Sequence, residues 1–121
     1  DPWREMLQLG LSTWAETPYD DSRSDCHAWS AHPNYDLLTT VAGIRPGSPG
    51  FRTVRVEPHL GGLGRLEASL PHPAGPISVS YRKVGPVLHA SITLPPGLQG
   101  EVAWGGAAST LHPGAQDVEL P

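Results

Sequence analysis

Two different periods of apolar residues divide this chain. Over residues 1–11, Trp3, Met6, Leu7 and Leu11 recur at helical spacing. Asp1 can cap a helix, Pro2 suits the first helical position, and Gly10 weakens or ends the run. From Ser12 to Ala31 no period holds, and polar and aromatic residues crowd together, a composition that predicts a functional loop. A second helix is expected from about Pro33 to Ala42, with Tyr35, Leu38, Val41 and Ala42 on one face and Gly43 as its stop. Two helices joined by a loop make a hairpin. Arg45 to Gly50, rich in Pro and Gly, is expected to be a linker or tight crossover.

Beyond this point the period falls to two. Phe51 to Val56 alternates, Leu66, Ala68 and Leu70 oppose Arg65, Glu67 and Ser69, and Ile77, Val79 and Tyr81 oppose Ser78, Ser80 and Arg82. Leu88, Ala90, Ile92 and Leu94 likewise oppose His89, Ser91 and Thr93. Such alternation predicts half-buried antiparallel strands. Shorter runs at Val102–Trp104, Thr110–Leu111 and Val118–Leu120 bring the expected number to about seven. A sheet with one apolar face has to bury it, so the expected fold is mostly β: an antiparallel β-sandwich preceded by a helical hairpin. The expected division is residues 1–50 and 51–121.

Composition narrows the functional classes. The chain has 121 residues, with 14 Gly and 14 Pro, enough for one core but not for a large catalytic barrel. Eight Lys and Arg stand against 12 Asp and Glu, and no basic stripe forms. Nucleic acid and anionic membranes are therefore not expected partners. No run approaches the roughly 18 apolar residues of a spanning helix. With Cys26 as the single cysteine, neither an intrachain disulfide nor a thiolate metal site can form. The chain starts at Asp1 without a methionine, and is expected to be a piece of something longer.

Taken alone, Glu16 in the polar loop is most simply a solvated carboxylate. His27 lies beside Asp25 and Cys26, but adjacent residues rarely converge on one point, and the six histidines lack ligand spacing. No metal, cofactor or thiol chemistry is expected. Asp20, Asp21 and Asp25 read as loop acids that hold the turn. Trp3 and Trp104 read as core residues and Cys26 as a small buried one.

The order of local motifs adds more. Ser22-Arg23-Ser24-Asp25-Cys26-His27-Ala28-Trp29-Ser30-Ala31, then Asn34-Tyr35-Asp36-Leu37-Leu38, then Gly43-Ile44-Arg45-Pro46 resembles the C-terminal signature of bacterial α-L-rhamnosidases of glycoside hydrolase family 78. Pro49-Gly50-Phe51, Val54-Arg55-Val56 and Pro58-His59-Leu60-Gly61 extend the resemblance across nearly the whole chain. It implies that residues 1–50 are the last helices and active-site loop of an (α/α)6 barrel, followed by a C-terminal sandwich. It further implies that the rest of the barrel, upstream of Asp1, is the partner of these helices, and that a rhamnose-containing saccharide is the substrate of the parent enzyme.

The family uses two carboxylic acids with inversion at the anomeric carbon. Thr13-Trp14-Ala15-Glu16 matches the stretch that carries the base, so the resemblance implies Glu16 as general base; Ala15 stands where many relatives have an aromatic. The general acid lies upstream in the family, so this chain alone is expected to be inactive. His27 corresponds to a family histidine that contacts the sugar. Trp14 and Trp29 are candidates by their chemistry, since an indole face suits the deoxy methyl of rhamnose. The competing reading is a non-catalytic β-sandwich module, carbohydrate-binding or structural. After Phe51 only Tyr81 and Trp104 are aromatic and both fall on apolar positions, which favours a scaffold.

Overall fold

The computed structural model describes residues 1–121, which form two compact units, Asp1–Asp36 and Leu37–Pro121. In the first, helix α1 spans Pro2–Gln8. The Asp1 side chain accepts the Trp3 N–H at 3.2 Å, and Pro2, which has no N–H to offer, opens the helix. Met6 is buried, yet Leu7 at the end of the helix and Leu9 and Leu11 just beyond it are 62%, 63% and 40% exposed. A 3-10 turn, Ala28–Ala31, leads into the short helix α2, His32–Asp36. The Trp3 indole N–H donates to the Ser30 carbonyl at 2.8 Å, and its ring meets His32 edge-on at 4.9 Å. Tyr35, expected on an inner face, is 67% exposed.

The second unit begins with a π-helical turn, Leu37–Val41, closed by the Ala42 N–H on the Leu37 carbonyl at 2.9 Å. The helix expected to run to Ala42 therefore changes register at Leu37. Its end carbonyls, which a helix cannot satisfy internally, are taken by the β domain. The His59 ring Nδ1 lies 3.3 Å from the Thr40 carbonyl, and the Val41 carbonyl accepts the His59 N–H at 3.1 Å. The Ala42 carbonyl accepts the Tyr81 hydroxyl at 2.8 Å, and that of Gly43 the Glu57 N–H at 2.9 Å. Gly43 has φ +75°, and a Cβ there would lie 2.2 Å from the Glu57 carbonyl oxygen; only glycine lets the two backbones meet.

Eight strands follow: β1 Ile44–Pro46, β2 Thr53–Val56, β3 Arg65–Leu70, β4 Ile77–Val84, β5 Val87–Leu94, β6 Gln99–Trp104, β7 Ala107–Leu111 and β8 Gly114–Leu120. They form two four-stranded sheets, ordered β1-β2-β6-β7 and β3-β4-β5-β8. The second sheet is antiparallel throughout. The first has one parallel pairing, β2 with β6, and its edge strand β1 overlaps the start of the stretch expected to be a crossover, at Arg45 and Pro46.

The inward phase is the one the pattern marks. Ile77, Val79 and Tyr81 from β4, with Leu88, Ala90, Ile92 and Leu94 from β5, join Val54, Val56 and Val102 in the core. Each fully buried Ile or Leu contributes about 1.5–3 kcal/mol. At the β6–β7 hairpin, Gly105 and Gly106 both take positive φ, +57° and +88°, as a type I′ turn requires. Outside the first sheet, Arg55 pairs with Glu57 at 3.1 Å and with Glu101, and Arg45 also reaches Glu57 at 3.1 Å.

Candidate functional site

The loop from Ser12 to His27 folds back on itself within the first unit. The Glu16 N–H donates to the Ser24 carbonyl at 2.8 Å and the His27 N–H to the Trp14 carbonyl at 2.7 Å. The Thr13 hydroxyl donates to the Asp25 carbonyl at 2.5 Å. Residues 13–16 thus lie beside residues 24–27. The reversal is built from turn-forming residues between Pro18 and Ser22: the Ser22 N–H bonds the Tyr19 carbonyl at 3.0 Å, and its hydroxyl donates to the Ser24 carbonyl at 3.1 Å.

Trp14 and His27, far apart in sequence, share the wall of a cleft of about 390 Å³ with Thr13, Cys26, Ala28 and Asn34. The Trp14 indole N–H donates to Asn34 Oδ1 at 3.2 Å, which fixes the ring plane. Trp29 is 67% exposed, and its ring lies 4.7 Å from that of His27 at 49°. An imidazole beside one exposed and one half-buried indole is suited to a polyol with an apolar patch. Cys26 is exposed rather than buried.

Glu16 does not line that cleft. Its carboxylate accepts from Arg23 Nε at 3.0 Å and from Arg23 Nη2. The Glu16 side chain is 9% exposed and that of Arg23 80%. The hydrogen bonds from Arg23 hold the carboxyl below its ordinary value of 4.5, against an opposing contribution from burial, and the charges of Arg23 and His27 act in the same direction as the bonds. Among the loop acids, Asp25 supplies its backbone carbonyl to Thr13. Nowhere do three side chains of metal-ligating type come together. Asn34 and Arg23 are the site residues that sequence reasoning left without a role. The seven-residue separation of Glu16 and Arg23 around a turn was the available signal for the second.

On the sandwich, Tyr81 is buried and its hydroxyl is engaged. Trp104 packs against the core, with its indole N–H on the Pro86 carbonyl at 2.6 Å. Tyr81 therefore offers no free aromatic face, whereas Trp104, half-buried, also borders a surface cleft with His59, Pro86 and Ala107.

Fold and loop together define a two-sheet β-sandwich module that follows a helical segment carrying an aromatic, polar cleft. Residues 43–118 match the family described as bacterial alpha-L-rhamnosidase C-terminal domain, and the chain belongs to that family. An alpha-L-rhamnosidase of Alteromonas sp. (strain LOR) is 36% identical over 56 residues, 46% of this chain and 6% of that protein. The alpha-L-rhamnosidase structure from Aspergillus terreus is similar with a TM-score of 0.85 and 19% identity, over 98% of this chain and 15% of that one. That of Streptomyces avermitilis, solved in complex with L-rhamnose, gives a TM-score of 0.81 and 19% identity over the same shares. At this identity the likeness is one of fold. The chain spans only a small part of each of these relatives.

Proposed function

We propose that this chain is the C-terminal end of an inverting glycoside hydrolase that releases terminal α-L-rhamnose from glycosides or polysaccharides. Its first part supplies the last helices and active-site loop of the barrel; the sandwich, already begun at Ile44–Pro46, supports that barrel. The observation that carries the reading is the folded loop, which places Trp14 and His27 on one cleft, Trp29 beside them, and Glu16 one backbone pairing away. The uncovered Leu7, Leu9 and Leu11 support the presence of further helices in the parent protein. The burial of Tyr81 in the sandwich core supports a scaffold over a second sugar-binding face.

In this reading Glu16 is the general base. Inversion requires it to take a proton from a water on the face opposite the leaving group, while an acid from upstream protonates the glycosidic oxygen. The two carboxyls stand about 6.5–9.5 Å apart in such enzymes, leaving room for the water. His27 binds a sugar hydroxyl, and Trp14 and Trp29 cover apolar faces of the ring. The test is Glu16→Gln in the full-length enzyme, assayed with an aryl α-L-rhamnoside. kcat should fall about 10² to 10⁴-fold with little change in KM, because size is kept and only the base is lost. Near-parental turnover would remove Glu16 from the mechanism.

A further inference from the structure

We propose that Arg23 is a positioning residue for this chemistry: its guanidinium aims the Glu16 carboxylate and leaves that carboxylate able to hold a water. The proposal rests on Glu16 as general base, and its geometry is independent of that reading. Two donors of one guanidinium, Nε and Nη2, meet the two carboxylate oxygens in fork-to-fork pairing, the arrangement that fixes a carboxylate plane rather than merely its position. The Glu16 N–H is bonded to the Ser24 carbonyl, so both backbone and side chain of Glu16 take their reference from residues 23 and 24.

A carboxylate has about four lone-pair sites. A bidentate arginine occupies two, and the others remain for a water and its proton. The carboxylate is sheltered while the guanidinium is largely exposed, and the hydrogen bonds make Arg23 its direct countercharge. His27 is the other charged group felt at Glu16, and it acts in the same sense when protonated. The pairing also has a consequence for pH. A base works only when ionised, and Arg23 lowers the pH at which Glu16 gains its proton. Without Arg23 the carboxylate protonates sooner as pH falls, so activity is lost at a higher pH.

The experiment compares Arg23→Gln and Arg23→Lys with the parent in the full-length enzyme, measuring kcat and KM for an aryl α-L-rhamnoside across pH. In R23Q the acid limb of kcat/KM should move to higher pH. In R23K the limb should return toward its parental position, because the charge is kept. The R23K plateau kcat should still fall about ten- to a hundredfold, because a point charge does not aim the carboxylate. A parental acid limb in R23Q overturns the proposal, and so does a parental plateau in R23K. If R23Q does not fold, the R23K plateau decides by itself. Glu16→Gln measured alongside separates the two claims. A fully active E16Q refutes the base assignment, whereas an inactive E16Q with a parental R23Q profile refutes only the role of Arg23.

Discussion

Replacing Tyr81 by Phe tests whether the sandwich holds the end of the π-helical turn Leu37–Val41. The substitution removes one oxygen from a side chain that is 2% exposed, and leaves the carbonyl of Ala42, itself 0% exposed, without that donor. Ring packing is retained, so the cost is chiefly that of a buried acceptor left unsatisfied, about 1–3 kcal/mol. For a domain of this size each kcal/mol moves Tm by about 4–8 °C, so a fall of roughly 5–20 °C is expected in a calorimetric or circular-dichroism melt. The alkaline range offers a second readout. Burial pushes the Tyr81 phenol well above its ordinary value of 10.0, so the unfolded chain ionises first. Stability held by the neutral phenol is complete below pH 10 and declines above it. Tyr81→Phe lacks this decline, and the gap between the two proteins should narrow as pH rises past 10. Tyr19→Phe, at a residue 66% exposed, should leave Tm unchanged. A fall of less than about 2 °C in Tyr81→Phe at neutral pH, or a gap that stays constant into the alkaline range, would refute the reasoning.

Gly43→Ala should be far more damaging than an ordinary surface change, because the new Cβ overlaps the Glu57 backbone and the residue sits at positive φ; a loss above about 3 kcal/mol in urea unfolding is expected, and a loss under about 1 kcal/mol would show that the backbones can part cheaply. Hydrogen exchange should be slowest in β4 and β5, at the centre of their sheet, and fastest in residues 1–36, whose helices are short and bury little apolar surface; the reverse ranking would mean that the first unit is stable by itself.

The sequence made some of this legible and hid the rest for physical reasons. Strands β3, β4 and β5 could be read because alternation persists over six to eight residues, and burial of one face enforces it. Strand β1 has only Ile44, Arg45 and Pro46. Three residues hold no period, and Pro46 speaks against a strand except at an edge, where β1 lies. The switch from α to π at Leu37 is equally silent, since it depends on which distant donors take the carbonyls of residues 40–43. At the site, the resemblance pointed to Glu16 and His27, and the chemistry of the indoles pointed to Trp14. The cleft that Trp14 and His27 share depends on hydrogen bonds that join the two ends of the loop, and the Arg23 pairing on the path of a turn. Cys26 was misjudged because a small, soft side chain is usually inside; here the loop carries it on the cleft wall.

The parallel pairing of β2 with β6 bears on how the chain comes to be folded. Arg55 and Glu101, paired across it, are 46 residues apart, and the whole β3-β4-β5 meander lies between them. The meander closes through short loops, so its hairpins can form early, whereas the first sheet must wait for a distant strand. On a ribosome adding about 5–20 residues per second, β2 emerges roughly 2–10 s before its partner. During that interval β2 can pair with β1 on one side, while the side that β6 later takes stays open. The arginines at 52 and 55, on either side of Val54, place charge on an edge that would otherwise invite pairing with another chain.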